Sequence, residues 1–249
     1  MRRGNKKLMS LNDLPANVNV WEETEERKRT ISNQGMTLGE WIRHLCSISG
    51  KGALYEAEFD VGRINFDNQS LRNVFPKLGH IVINSSKAET DQRDVIYTQN
   101  ILKAFLPDAQ SLELWHVPLQ ENLSLQHIGM ANLKVLDYHS RTNLNFDFLF
   151  TLNAENCMIN TDRISLRDLN RFLKFWIKGS NPKLKDLILS FYTEVNTDWN
   201  VLLKGLKAKE AEAKGPMTNY IIENCRGVSA GIEIFHLEEN AGIQFKILN

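Results

Sequence analysis

Apolar residues recurring every three or four positions mark the helices of this chain. Leu38, Trp41, Ile42 and Leu45 fall on one stripe, behind a Thr37–Glu40 pair with the spacing of a capping box. Leu166, Leu169, Phe172, Leu173, Trp176 and Ile177 share a face of a second helix, which opens at Ser165 and stops at Gly179 and Pro182. A third helix is predicted from Thr90 to Phe105, before Pro107, and a fourth through Trp199, Leu202, Leu203 and Leu206, opening near Asn196 or Thr197. The large aromatics Trp41, Phe172, Trp176 and Trp199 sit at helical spacing and are expected to pack between helix and sheet.

Between the helices a shorter pattern recurs, apolar-x-x-apolar-x-apolar. It occurs at Leu78/Ile81/Ile83, Ala109/Leu112/Leu114, Leu133/Leu136/Tyr138, Ala154/Cys157/Ile159 and Leu184/Leu187/Leu189, and more loosely at Leu54/Ala57/Phe59. Its middle positions, 57, 81, 112, 136, 157 and 187, are spaced by 26 residues on average. That period lies in the leucine-rich-repeat range of roughly 20–29 residues, one strand plus a helical return per unit. One such unit cannot bury both of its apolar faces, so units stack. The prediction is an α/β fold: an irregular leucine-rich-repeat-like solenoid, a mostly parallel curved sheet with helices on one face. The middle and last apolar positions of each strand then point inward. Glu113, Trp115, Asp137, His139, Met158 and Asn160 point outward onto a bare face. A doubly wound sheet would ask for near-continuous Val/Ile strands and a GxGxxG turn, and no such turn is present.

The ends depart from the repeat. Residues 17–35 read as a short strand, a charged exposed stretch and a return. Lys207–Lys214 reads as a solvated helix end or loop, and Ile232–Leu237 with Ile243–Ile247 as a closing β-hairpin at the C-terminus. The domain organisation expected is a flexible tail over 1–16 and a single domain over 17–249.

Charge narrows the partners. The 30 basic residues balance 30 acidic ones, which argues against a nucleic-acid or acidic-membrane binder, since both demand surplus Lys and Arg. No stretch is long and apolar enough to span a bilayer, and the N-terminus lacks the apolar core of a signal peptide. Three scattered cysteines, Cys46, Cys157 and Cys225, fit a reducing compartment, hence cytoplasm or nucleus.

Candidate chemistry is sparse. Gly227-Val-Ser229-Ala-Gly231 fits the GxSxG nucleophile elbow, which needs a strand before the serine and a helix after it. A strand follows instead, and the only later histidine is His236, so a glycine-rich turn is expected and a Ser229 hydrolase is kept as the alternative. His116, His139 and Cys157 lie on neighbouring strands, but Cys157 should point away from His139 and no HxxxH or CxxC spacing occurs. No metal, cofactor or catalytic residue is expected.

Two stretches carry a resemblance: Asn17–Val20 followed by Asn33–Ile48, and Leu166–Leu184 with its DLNRFLK and WIKGSNP runs. The second resembles the signature helix of the nematode-expanded F-box associated domain of type 2. The resemblance implies substrate recognition: an F-box recruits the Skp-type adaptor of an SCF ubiquitin ligase, and the associated domain binds targets. Only about 16 residues precede Asn17, against roughly 45 for an F-box, so the F-box itself is expected to be missing. The functional expectation is a protein-interaction module selecting an unknown target for an SCF-type ligase through Glu113, Trp115, Asp137, His139, Met158 and Asn160. A target-binding homologue without a ligase link is the alternative.

Overall fold

Six strands lie side by side, parallel and in chain order: β3 (Tyr55–Asp60), β4 (Leu78–Asn84), β5 (Ser111–Trp115), β6 (Val135–His139), β7 (Asn156–Thr161) and β8 (Asp186–Tyr192). They are preceded by an antiparallel pair of their own, β1 (Asn17–Glu22) and β2 (Arg27–Ser32). This computed structural model describes residues 10–22, 27–48, 55–61, 68–75, 77–85, 92–117, 119, 125–140, 146–162, 165–192, 198–211, 218–236 and 240–248. The register marks of the repeat form one continuous row: Ala57 pairs with Ile81, Ile81 with Leu112, Leu112 with Leu136, Leu136 with Cys157 and Cys157 with Leu187.

Burial alternates along each of these strands, as the period of two requires when only one face is covered. Ile81, Leu112, Leu136, Cys157 and Leu187, and the positions two residues on, enter a single core cluster. The returns supply the rest of that core. They are α2 (Asn68–Val74), α3 (Gln92–Phe105), α4 (Leu125–Gly129), a 3-10 segment (Phe146–Thr151) and α5 (Leu166–Ile177). Ile101, Leu102, Phe105, Ile128, Phe148, Leu149, Phe172, Leu173 and Trp176 come from these returns. Each such side chain removed from water contributes about 1.5–3 kcal/mol, which is what holds single-turn returns such as α4 in place.

Beyond β8 the sheet turns antiparallel. Its order continues β8-β12-β11-β10-β9, with β9 (Lys209–Ala211), β10 (Thr218–Glu223), β11 (Ser229–His236) and β12 (Asn240–Ile247). The expected closing hairpin exists as β11–β12, but it does not end the sheet. β12 joins β8, and β10 and β9 extend the sheet past β11. Over Lys207–Lys214 the expected solvated helix end or loop is corrected to the edge strand β9 across 209–211, while 212–214 lie outside the described residues. The fold is therefore α/β with an open, mixed, largely parallel sheet.

At the junction Gly242 has no room for a side chain. A Cβ there would overlap the Leu189 carbonyl oxygen and stand 2.5 Å from the Phe235 ring. Gly242→Ala is expected to cost about 2–3 kcal/mol, because backbone on the neighbouring strand must yield. A lowered urea midpoint with an unchanged slope checks this.

Helices follow their caps. In α5, Ser165 accepts from the Asp168 amide at 3.3 Å, and Gly179 closes the end at φ +95°. α1 (Leu38–Ile48) carries the capping box: the Glu40 carboxylate accepts from the Thr37 amide at 2.7 Å and the Glu40 amide donates to the Thr37 hydroxyl at 3.2 Å. The Thr37 amide and hydroxyl, both donating to the carboxylate, hold the Glu40 carboxyl below its usual value. The apolar stripe of α1, however, stays outside the main core, with Gly39 its buried residue and Leu45 and Ile48 exposed. The cause is position, since α1 precedes the edge strand β3 and packs on α2 rather than over the sheet. Trp41 is accordingly half-buried, its indole donating to Asn33 Oδ1 at 2.8 Å. Ahead of α1, within the expected tail, Ser10–Asp13 form a turn and the Leu11 carbonyl accepts from the Gly39 amide. The fourth helix is one turn, α6 (Asn200–Leu203), and the Asn196/Thr197 start expected for it lies outside the described residues.

Candidate functional site

The face of β3–β8 that no described helix covers is built by the same alternation that fills the core. Cross-strand pairing sets its side chains in rows. One row runs Glu58, Val82, Glu113, Asp137, Met158, Ile188, and the next Asp60, Asn84, Trp115, His139, Asn160, Ser190. All the residues expected to point outward, Glu113, Trp115, Asp137, His139, Met158 and Asn160, lie in these rows, and none of them is fully buried. A one-residue slip in register would have turned each of them into the core.

Contacts of four of them, Glu113, Trp115, Asp137 and His139, extend through His80 and Glu56 into a chain across four strands. The Trp115 and His139 rings stack with centroids 3.7 Å apart and planes 6° from parallel. The Trp115 indole N–H donates to Glu113 Oε2 at 3.2 Å. The other oxygen of Glu113 meets His80 Nε2 at 3.0 Å, and His80 Nδ1 lies 3.3 Å from Glu56. Asn84 donates to Glu58 at 2.5 Å. Asp137 Oδ1 and His139 Nε2 are 2.7 Å apart and shielded from water, yet their angles fall short of a hydrogen bond, so that contact is electrostatic. Contacts between rigid strands fix these side chains in place before any partner arrives.

His80, Glu56 and Glu58 belong to the network and were not singled out from sequence. Applying the strand pattern's outward positions to β3 and β4 would have named Glu58, and the preceding outward positions Glu56 and His80. The same face continues onto β9–β12, where Gly231 leaves a shallow recess of about 290 Å³ bordered by Ile221, Glu233, Gln244 and Leu248.

The other candidates are not brought together. Gly227 sits at φ +78° in a turn closed by Asn224, whose side chain accepts from the Arg226 and Val228 amides. Ser229 opens β11 and His236 ends it, seven residues of strand and about 23 Å apart. His236 Nε2 accepts from the Trp199 indole at 2.8 Å. No helix follows the serine, so the elbow geometry is absent. Cys157 is buried, and burial, reinforced by the Asp137 charge, pushes its thiol far above the usual range. Burial also raises Cys46. Thiols held neutral are poor nucleophiles. His116 protrudes at the end of β5 with φ 55°, away from Cys157, which faces the core. Among the described residues no three His, Cys, Asp or Glu side chains converge enough to hold a metal ion.

Residues 124–189, from the start of α4 to within β8, match the family model described as F-box associated. The F-box associated domain-containing protein sdz-33 of Caenorhabditis elegans is 30% identical over 175 residues, which is 68% of this chain and 50% of that protein.

The chain belongs to the F-box associated family.

It spans about half the length of that curated relative. No solved structure matches it. Within the F-box associated match lie Asp137, His139, Met158 and Asn160, while Glu113 and Trp115 precede it. In the Leu166–Leu184 stretch, the residues that carried the resemblance are scaffold. Phe172 and Trp176 fill the core. The Asn170 amide donates to the Leu202 and Lys204 carbonyls at 2.6 and 3.0 Å, ending α6. The Asn181 amide donates to the Leu149 and Leu152 carbonyls at 3.1 and 2.9 Å, tying the 3-10 segment to the end of α5. The Leu166–Leu184 stretch thus builds the support behind the open face rather than the face itself.

Proposed function

We propose that this chain is a target-recognition module whose binding surface is the open face of β3–β8, with Glu113, Trp115, Asp137, His139, Met158 and Asn160 at its centre. Its units are of leucine-rich-repeat type, irregular in length, and it acts in the cytoplasm or nucleus without catalysing a reaction. The single observation that supports this reading is the Trp115–His139 stack, held on a rigid sheet with carboxylates on both sides. Aromatic side chains prearranged in this way are the commonest anchors of protein interfaces, since little freedom is lost on binding.

The role that follows is selection of a protein for an SCF-type ubiquitin ligase through a Skp-type adaptor. The second reading keeps target binding and drops the ligase link. Combining Trp115→Ala, His139→Ala and Met158→Ala should abolish capture of partners from lysate while circular dichroism stays unchanged. A folded triple variant that still captures every partner rejects the face. Direct binding of purified Skp-type adaptor separates the two readings, since only the first requires it.

A further inference from the structure

The open face is charged in a way the whole chain is not. Glu56, Glu58, Asp60, Glu113, Asp137 and Asp186 all stand on this face of β3–β8, and no lysine or arginine occupies any described position on that face of those strands. Where the face continues, Lys246 of β12 stands opposite Asp186, so the uncompensated acidity lies over β3–β6. The chain overall balances 30 basic against 30 acidic residues, so the positive charge has been placed elsewhere. The carboxylates of Glu56, Glu58, Glu113, Asp137 and Asp186 meet imidazoles, an indole and side-chain amides. These groups orient carboxylates without supplying the fixed positive charge of a lysine or arginine.

The charge also has a direction. Along the row Glu58, Val82, Glu113, Asp137, Met158, Ile188 all three carboxylates lie in the β3–β6 part, with Val82 among them, and the β7–β8 end carries only Met158, which is exposed, and Ile188. Neighbouring strands are about 4.8 Å apart, so the row spans about 24 Å. An extended polypeptide covers that length with about seven residues. Carboxylates spread over such a distance do not enclose a metal ion, but they match a series of cationic side chains whose aliphatic stems lie along Trp115 and Val82.

Resting on the reading of this face as the target-binding surface, the geometry points to a partner of defined chemistry: an extended polypeptide segment rich in lysine and arginine at one end and apolar at the other, laid across the strands with its basic end over β3–β6. Complementary charge steers such a segment to the face, and the apolar end fixes its direction.

The probe is a fluorescein-labelled peptide of about eight residues, Lys-Arg-Lys-Arg-Ser-Leu-Ser-Leu, compared by fluorescence anisotropy with a counterpart carrying glutamate at the four basic positions. The basic probe should bind, and lose affinity about tenfold or more between roughly 0.02 and 0.3 M salt. The combined Glu58→Gln, Glu113→Gln and Asp137→Asn variant should lose about tenfold as well. An equal charge change away from the face, Asp147→Asn, Asp198→Asn and Glu210→Gln, should leave binding intact. If the combined face variant does not fold, Glu58→Gln alone, on an exposed edge-strand side chain, gives the readout. Absence of binding by the basic probe, equal binding of the acidic one, or indifference to the face substitutions overturns the inference. Should the Trp115/His139/Met158 variant lose its captured partners while neutralised carboxylates and salt change nothing, the face is the binding surface and its partner is not basic.

Discussion

Trp176→Ala is expected to lower the stability of this domain by about 3–5 kcal/mol, the range for removing a large buried aromatic. Trp176 is 2% exposed on α5, and its ring meets Phe245 of β12 edge-on, with centroids 4.9 Å apart at 73°. α5 is the return of the last parallel unit, whereas Phe245 belongs to the antiparallel part. The indole therefore spans both parts of the sheet, and deleting it leaves a cavity at their seam. Trp176→Phe keeps an aromatic contact and should lose visibly less. Urea unfolding followed by far-UV circular dichroism checks both, with a single transition shifted to lower urea. An unchanged midpoint for Trp176→Ala would mean that the two parts are held together by strand pairing alone.

Asn181→Ala is expected to cost about 2–4 kcal/mol, through two separable causes. The first is loss of the side-chain amide that satisfies the Leu149 and Leu152 carbonyls in a buried setting. The Leu149 carbonyl keeps the Leu152 amide at 3.4 Å, whereas leaving the Leu152 carbonyl without the Asn181 donor out of water costs about 1–2 kcal/mol, the lower part of the range for an unpaired buried acceptor. The second is backbone: Asn181 sits at φ 52°, which alanine adopts at a penalty of about 1–2 kcal/mol and glycine does not resist. Asn181→Gly isolates the hydrogen bonds, and the further loss in Asn181→Ala measures the backbone strain. Equal stability of the glycine variant and the parent would show the amide bonds to be dispensable.

Much of this architecture is readable in the chain because the parallel units repeat one short-range rule. Ile81, Leu112, Leu136, Cys157 and Leu187 occupy equivalent positions, and each unit's alternation decides its own inside and outside. Glu113, Trp115, Asp137 and His139 could be placed on the open face for that reason. The antiparallel part obeys no such rule. β10, Thr218–Glu223, has Ile222 as its only fully buried residue, so it lacks a clean alternation. β9 is three residues of a Lys-, Glu- and Ala-rich stretch that favours helix on composition, and only pairing with 219–221 makes it a strand. α1 shows the reverse error: its amphipathic stripe is real, but a periodic stripe does not say which surface it meets. Within the site, the His80–Glu113–Trp115 contacts depend on which outward residues become neighbours across strands, and that pairing is long-range.

β12 occupies an interior place in the sheet although it follows the other described strands in sequence, and it pairs with β8, the Gln244 side chain donating to Asp186 58 residues earlier. On the ribosome, the parallel units can therefore assemble progressively as they emerge, but β8 keeps an unpaired edge until the latest strand has been made. Chaperone dependence and premature pairing with other chains should concentrate at that edge. A nascent chain halted before residue 240 should bind holdase chaperones that a chain carried through residue 249 ignores.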